Sequence, residues 1–167
     1  MKERGKFSGV FTMECIRDGK KIWEETFHNI VTNEGLDKIL DSVLHNDASA
    51  TWYCCLIESD TSAAAGMTYA VPVYTESTAY DEATRPEYEE AAASSQSITN
   101  SANKATFTIS DTKTIYGASL VDHSVKGNTA ESGKVLLCYA KLSSSRAVVD
   151  DDVVNLTYTI SAADDGA

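Results

Sequence analysis

The chain begins with two stretches in which apolar and polar side chains alternate. In the first stretch Phe11, Met13 and Cys15 share one face, and the second stretch, "KIWEETF", follows a short "RDGK" segment. Alternation with a period of two is typical of a half-buried β-strand. Asp18 and Gly19 favour a tight turn between the strands, because glycine accepts the positive φ that hairpin turns require. The sequence therefore predicts a β-hairpin over residues 6–31.

The period then changes to that of a helix. Apolar side chains recur at three-and-four spacing, at Leu36, Ile39, Leu40, Val43 and Leu44. Thr32 or Asn33 can cap the start, and the carboxylates of Glu34 and Asp37 suit the positive end of the helix dipole. His45 suits its negative end. We predict one amphipathic helix at about residues 33–45.

Further strand patterns follow the helix. The continuous apolar run "TWYCCLI" is typical of a strand buried on both faces. A second hairpin is predicted from the alternation in "NKATFTI" and in residues 114–121, and two more strands from "KVLLCYAKLSS" and "VVNLTYTIS". With seven or eight strands, one helix and no alternation of strand with helix, the chain is predicted to be mostly β. We expect a two-sheet β-sandwich, jelly-roll-like or immunoglobulin-like, with the helix covering one end or edge.

One segment has no regular period. From about residue 60 to residue 100 the chain contains alanines, threonines, two prolines and the acidic "EYEE". Long loops of this kind inside a compact domain are usually functional or bound to a partner. The polar "SSQSITNSAN" that closes the segment suits a backbone lying close along another surface. This loop is therefore the expected contact region.

Charge is distributed unevenly along the 167 residues. The net charge is -11, from 14 basic and 25 acidic side chains, which opposes binding to nucleic acid. Residues 1–6 form a predicted basic N-terminal arm, residues 7–161 a single domain and residues 162–167 an acidic tail. No stretch approaches the roughly 18 apolar residues of a membrane span. We expect no nucleic-acid partner, no membrane partner, and synthesis and use without export through a membrane.

Motifs that carry chemistry are missing from the sequence. The four cysteines, Cys15, Cys54, Cys55 and Cys138, lie in strand-like runs without metal-ligand spacing and are predicted to be buried thiols. No nucleotide-binding loop or nucleophile signature occurs. The acidic run 150–152 fits a solvated turn better than a calcium loop. We therefore predict no catalytic residue, no metal and no cofactor.

Six stretches carry a resemblance to known proteins: "HNIVTNEGLDKILDSVL", "TWYCCLI", "YTESTAYDEATRPEY", "SSQSITNSANKATFTI", "TIYGASLV" and "VNLTYTIS". Together they resemble a family of small virion proteins of tailed bacteriophages, which are made in the host cytoplasm. The resemblance spans most of the chain and implies a structural role in the virion. It suggests a head decoration, or cement, protein on the capsid surface that clamps neighbouring copies of the major capsid protein.

Such cement proteins commonly act as a homodimer or homotrimer. After the major capsid protein, the second expected partner is therefore another copy of this chain. Aromatic and arginine side chains are the usual anchors of interfaces. The residues predicted to contact partners are Lys2, Arg4 and Lys6 of the arm and Tyr80, Arg85, Tyr88, Asn100 and Asn103 of the loop region.

Three alternatives remain open. The first is a tail, neck or fibre-associated adaptor subunit built on the same sandwich. The second is a carbohydrate-binding module, in which Trp23, Trp52 or tyrosines stack on sugar rings, although both tryptophans fit a core position better. The third is an enzyme, which a carboxylate beside His123 in a cleft would favour.

Overall fold

Nine strands and one helix form the part of the chain that this computed structural model describes, residues 5–127 and 130–164. The elements are β1 (Gly5–Arg17), β2 (Lys20–Val31), α1 (Asn33–Leu44), β3 (Tyr53–Ile57), β4 (Glu76–Ser77), β5 (Ser97–Thr99), β6 (Ala105–Thr108), β7 (Lys113–Val121), β8 (Leu136–Val148) and β9 (Val153–Asp164).

The strands form one curled antiparallel sheet. Its order is β4-β3-β7-β8-β2-β1-β9-β5, and β6 pairs with β9 beside β5. β2 belongs to both halves, because its residues up to His28 pair with β1 and its last three, Asn29 to Val31, pair with β8. The sheet turns a corner there, and side chains from both halves share the main core. The predicted mostly-β, sandwich-like fold is confirmed.

The first hairpin is confirmed in detail. Asp18 and Gly19 have φ of 50° and 72°, the positive values that a two-residue turn matching the strand twist requires. Phe11, Met13 and Cys15 are fully buried on the inner face. The alternation in the sequence therefore reports the inner and outer faces of β1 correctly.

Both faces of β3 are covered. Cys54 belongs to the main core, whereas Cys55 packs on the opposite face in a second cluster with Tyr69, Tyr74 and Tyr139. The double burial predicted for this strand is confirmed. All four thiols are free and buried, and burial raises the pKa of Cys15 and Cys138 to about 12. These cysteines are therefore held as thiols rather than as reactive thiolates.

The termini of the described chain lie side by side. Gly5 pairs with Asp164 and Lys6 with Ala163, so the sheet extends into both the predicted arm and the predicted tail. Residues 1–4 and 165–167 lie outside the described residues. The predicted long loop contains β4 and β5 and is otherwise irregular.

The helix is attached to the body mainly by its first turn. Thr32 is the cap, and its hydroxyl oxygen accepts a hydrogen bond from Gly35 N at 3.0 Å. Glu34 does more than suit the dipole, because its carboxylate accepts hydrogen bonds from Tyr69 N and Leu136 N at 2.8 and 2.6 Å. The helix thus starts against the second cluster and strand β8.

The apolar side of α1 is largely uncovered. Leu40, Val43 and Leu44 are 51%, 75% and 79% exposed, although the pattern of the sequence groups them on one apolar face. Gly35 is the buried position of the helix. The expectation that the helix covers part of the sandwich therefore holds for its start, while its C-terminal half leaves an apolar surface facing solvent.

Replacing Gly35 with alanine is expected to lower the free energy of unfolding by about 1–3 kcal/mol, although alanine is the better helix former. A Cβ atom at this position would overlap the carbonyl oxygen of Leu137 and lie 2.9 Å from its Cα. Urea unfolding measures the loss. Gly66→Ala is the control, since no atom lies within 4 Å of its Cβ position. Equal stability of the two variants would contradict the close approach of α1 to β8.

Candidate functional site: an apolar groove beside the helix

The predicted contact residues fall into three groups. Lys6 and Asn103 are exposed. Lys2 and Arg4 lie outside the described residues. Tyr80, Arg85, Tyr88 and Asn100 are at most 5% exposed, and their contacts described below are within the chain. Contact with a partner stays a prediction for all eight, and these four would need a rearrangement to make it.

Arg85 is the centre of a buried polar network. Its guanidinium donates two hydrogen bonds to the carboxylate of Glu76, at 2.8 and 2.6 Å, and both side chains are at most 2% exposed. It also donates to the carbonyl oxygens of His123 and Gly127, at 2.7 and 2.8 Å. Burial lowers the pKa of Arg85, but the hydrogen bonds to Glu76 and the surrounding charge raise it overall. Arg85 therefore fastens β4 to the segment after β7.

Two tyrosines of the same region are structural. Tyr80 packs edge-on against Phe107, and Lys126 lies over its ring with Nζ 4.3 Å from the centroid. Tyr88 shares its hydroxyl hydrogen bond between the carbonyl oxygens of Ile98 and Tyr158, at 3.3 and 3.2 Å. Both side chains help to fasten the irregular segment to the sheet.

Asn100 explains the polar segment that precedes β6. Its side-chain oxygen accepts from Tyr158 N at 2.8 Å, and its side-chain nitrogen donates to Leu156 O at 3.2 Å. β5 pairs with residues 159–161 of β9, and β6 pairs with residues 153–156 of the same strand. Residues 157 and 158 of β9 lie between the two paired stretches. The asparagine side chain therefore replaces a strand in the gap between β5 and β6.

An apolar depression in the surface lies beside α1. A groove of about 320 Å³ runs from Ile39 across Trp52 to Ile98 and Ile160. A smaller cavity lined by Val43, Ala50 and Trp52 continues it under the helix, and another lined by Phe7, Ile98 and Ile160 continues it along β9. Because the three cavities share lining residues, they form one continuous apolar groove.

This groove was not predicted from the sequence. Its residues come from β1, α1, the segment before β3, the segment between β4 and β5, and strands β5, β8 and β9. Most of them are apolar types that suggest core positions instead. The sequence showed only the wide apolar face of α1. Such a face identifies a surface that another surface covers, but it does not say which one. Trp52 is half-buried and packs against the main core, as does Trp23.

His123 lies in a polar cavity of about 400 Å³ lined also by Tyr53, Asp122 and Lys134. Its Nε2 is 3.3 Å from a carboxylate oxygen of Glu131, and its Nδ1 shares a 2.8 Å hydrogen bond with the Tyr69 hydroxyl. The carboxylate neighbour that would favour an enzyme is therefore present. Among the hydrogen bonds of the described residues, however, none joins His123 to the side chain of a serine, threonine or cysteine.

Tyr69 does not supply the missing nucleophile. It is 3% exposed, and burial raises its pKa despite the hydrogen bond from Arg85. A nucleophilic oxygen requires the opposite, a lowered pKa and access to substrate. The contacts among Tyr69, His123 and Glu131 therefore fit a structural role better than a catalytic one. They link the second cluster to the segment between β7 and β8.

The acidic run 150–152 is a turn whose last residue is paired. Asp152 is fully buried and accepts two hydrogen bonds from Arg17, at 2.6 and 2.7 Å, and one from Val149 N at 2.8 Å. Asp151 has a φ of 66°. In residues 5–127 and 130–164, no group of three or more histidine, cysteine, aspartate or glutamate side chains is placed to hold a metal ion.

Asp152→Asn is expected to lower the free energy of unfolding at pH 7 by about 1–3 kcal/mol, because it removes the charge that Arg17 binds. The hydrogen bonds from Arg17 lower the pKa of Asp152 below its ordinary 3.8. Its contribution is therefore complete above pH 3.8 and lost as the pH falls through the folded-state pKa.

Urea unfolding of the wild type and the variant at pH 7 and near pH 2 measures this effect. The difference between the two proteins should shrink at the lower pH. Asp150→Asn, at an exposed position of the same turn, is the control and should change stability little at either pH. An equal difference for Asp152→Asn at both pH values would contradict the pairing with Arg17.

The comparisons with known proteins address the class of protein directly. Residues 26–160 match the family model described as Podophage GP4 fiber I protein gp80. This match runs from β2 into β9. Neither the curated proteins nor the solved structures gave a match. Among the described residues, the structure has no helix with the length and apolar character needed to cross a membrane.

Proposed function

The chain belongs to the podophage GP4 fiber I protein gp80 family, and on that membership we propose that it is a non-enzymatic structural subunit of a phage tail fibre. Membership of a fibre family makes the protein a virion component. The observation that carries the finer proposal is the match over residues 26–160, which includes the helix, the sheet and the groove.

The match favours the fibre-associated alternative over the head-decoration role suggested by the resemblance in the sequence. The geometry supports a binding role of either kind, because exposed Leu40, Val43 and Leu44 of α1 lie beside the apolar groove. Contiguous exposed apolar surface usually marks a protein interaction site. The main contacts of the protein in the virion are therefore proposed to be with neighbouring fibre or tail subunits.

The apolar groove supports a protein partner better than a sugar. Sugar sites combine an aromatic face with several polar groups that hydrogen-bond to hydroxyls, whereas the groove beside Trp52 is lined mainly by aliphatic and aromatic side chains. Among the described residues that line it, the charged ones are Glu90 and Lys38. Polar groups are scarce where the tryptophan is, so Trp52 is proposed to contact an apolar surface of another protein.

Locating the protein in purified virions tests the proposal. Heads and tails are separated after mild disruption, and the protein is quantified in each fraction by mass spectrometry against the major capsid protein. We expect it in the tail fraction, at a copy number that is a small multiple of the tail symmetry. Antibody labelling in electron micrographs should mark the fibres.

Recovery in the head fraction, at a copy number comparable with that of the major capsid protein, would overturn the proposal and restore the cement role. Recovery in neither fraction would exclude both virion locations. The capsid protein and a known tail protein of the same phage serve as internal controls for the separation.

A further inference from the structure

An amine, an amide and a carboxylate meet on the outer face of the sheet, where β6, β9 and β1 lie side by side. Asn155 of β9 lies opposite Thr106 of β6 on one side and opposite Glu14 of β1 on the other. Lys104 precedes Thr106 by two residues and therefore lies on the same face. Its amine reaches Glu14, so the lysine side chain crosses β9 beside Asn155.

One oxygen of Glu14 binds both nitrogen groups. Lys104 Nζ donates to Glu14 Oε1 at 2.6 Å, and Asn155 Nδ2 donates to the same oxygen at 3.3 Å. Two donors that share one acceptor atom lie within a few ångströms of each other. The side chain of Glu14 is 12% exposed, so most of the solvent is excluded from this carboxylate. The fold therefore holds the amine of Lys104 next to the amide of Asn155.

The hydroxyl of Thr106 polarises that amide. Thr106 Oγ1 donates a hydrogen bond to Asn155 Oδ1 at 3.0 Å. Such a bond draws electron density from the amide carbon and stabilises the negative charge that the oxygen gains when a nucleophile attacks. The amide carbon of Asn155 is thereby made a better electrophile.

Glu14 is placed to act as the base. The hydrogen bond from Lys104 lowers the pKa of Glu14, so its side chain is a carboxylate at neutral pH and accepts a proton from the lysine ammonium. Because that pKa is lowered, the proton transfer is uphill. A reaction that begins with this transfer is slow compared with folding, and the folded chain is its starting material.

We propose that Lys104 and Asn155 form an isopeptide bond that links the start of β6 to β9. Glu14 relays two protons, one after the other, from Nζ of Lys104 to Nδ2 of Asn155. The electron pair of Nζ forms a bond to Cγ of Asn155. The bond between Cγ and Nδ2 breaks with its electron pair on the nitrogen, which leaves as ammonium. Nothing is oxidised or reduced, and Glu14 ends as the carboxylate that it was at the start.

The bond fastens an edge of the sheet. β6 is a strand of four residues, Ala105–Thr108, whose partner in the sheet is β9. A covalent link from Lys104 to Asn155 closes a loop that contains β6, β7 and β8, and cross-links of this kind stabilise a fold mainly by restricting the unfolded chain. The inference concerns the fold of the chain itself and does not rest on the proposed role in a fibre.

Intact-mass spectrometry of the purified full-length chain, followed over days at physiological temperature, tests the bond. At least half of the wild-type molecules are expected to lose about 17 Da, the mass of ammonia. Proteolytic digestion and tandem mass spectrometry should then identify a branched peptide that contains both Lys104 and Asn155.

Lys104→Arg is the matched variant, because arginine keeps the positive charge beside Glu14 but does not lose a proton to become a nucleophile. It should show neither the mass loss nor the branched peptide. Glu14→Gln removes the base and should slow the mass loss at least about a hundredfold. Lys21→Arg is the control, since Lys21 contacts the other oxygen of Glu14, at 3.3 Å, and should cross-link like the wild type. Circular dichroism checks that all three variants fold.

A folded wild type whose mass stays unchanged over this incubation would overturn the inference. So would an equal mass loss in Lys104→Arg or Glu14→Gln. A loss of ammonia without the branched peptide would also overturn it, because a succinimide formed at an asparagine gives the same change in mass. These results leave the fibre proposal standing, since that proposal fails only when the protein is absent from the tail fraction of virions.

Discussion

Replacing Arg85 with methionine is expected to lower the free energy of unfolding by about 3–5 kcal/mol, the usual cost of removing one partner of a buried ion pair. The substitution leaves the carboxylate of Glu76, 1% exposed, without the cation that binds both of its oxygens. It also removes the donors to His123 O and Gly127 O. Chemical denaturation followed by tryptophan fluorescence measures the loss.

Two further variants identify the cause of that loss. Arg85→Met combined with Glu76→Gln should be more stable than Arg85→Met alone, because a neutral amide is cheaper to bury than a carboxylate. Lys21→Met removes an exposed cation paired with Glu24 at 2.6 Å and should cost less than about 1 kcal/mol. If Arg85→Met lowers the free energy of unfolding no more than Lys21→Met does, the stabilising role of the buried ion pair between Arg85 and Glu76 is wrong.

Asn100→Ala is expected to lower the free energy of unfolding by about 1–3 kcal/mol, because it removes the acceptor of the buried N–H of Tyr158. The C=O of Leu156 loses the donor from the Asn100 side chain but still lies opposite Ala105 of β6 in the sheet. Hydrogen exchange should also become faster at the Tyr158 amide. Denaturation measures the first effect and exchange followed by NMR or mass spectrometry measures the second.

Asn103→Ala is the matched control for this experiment. Asn103 is the same residue type in the same segment and was predicted to have the same role, but it is exposed. Its replacement should change stability by less than about 0.5 kcal/mol. Equal effects of the two substitutions would contradict the role of Asn100 as a substitute for a strand.

The elements of the fold were predictable from the sequence where local chemistry determines them. The turn at Asp18 and Gly19, the cap at Thr32 and the inner face of β1 depend on residues close together in the chain. The corner at the end of β2 was not predictable in this way. It depends on pairing between Asn29–Val31 and residues of β8 more than a hundred positions later.

The roles of the loop residues were beyond sequence reasoning for a similar reason. An arginine or an asparagine in a polar, irregular segment suggests a surface contact. Arg85 and Asn100 are buried because Glu76 and Tyr158 meet them in the folded chain, and no local pattern marks that encounter. The groove combines side chains from seven parts of the chain, so the order of residues in the sequence did not show that they form one surface.

The pairing of β1 with β9 affects the order in which the strands can pair while the protein is being synthesised. β1 needs β9 along almost its whole length, from Gly5 with Asp164 to Ile16 with Val153. During synthesis the first hairpin therefore emerges long before its second neighbour, and one edge of β1 waits without a partner while the intervening residues are translated. Closure over so long a separation in sequence is slow compared with local pairing. Until β9 has been synthesised and has paired with it, that unpaired edge of β1 can pair with another chain.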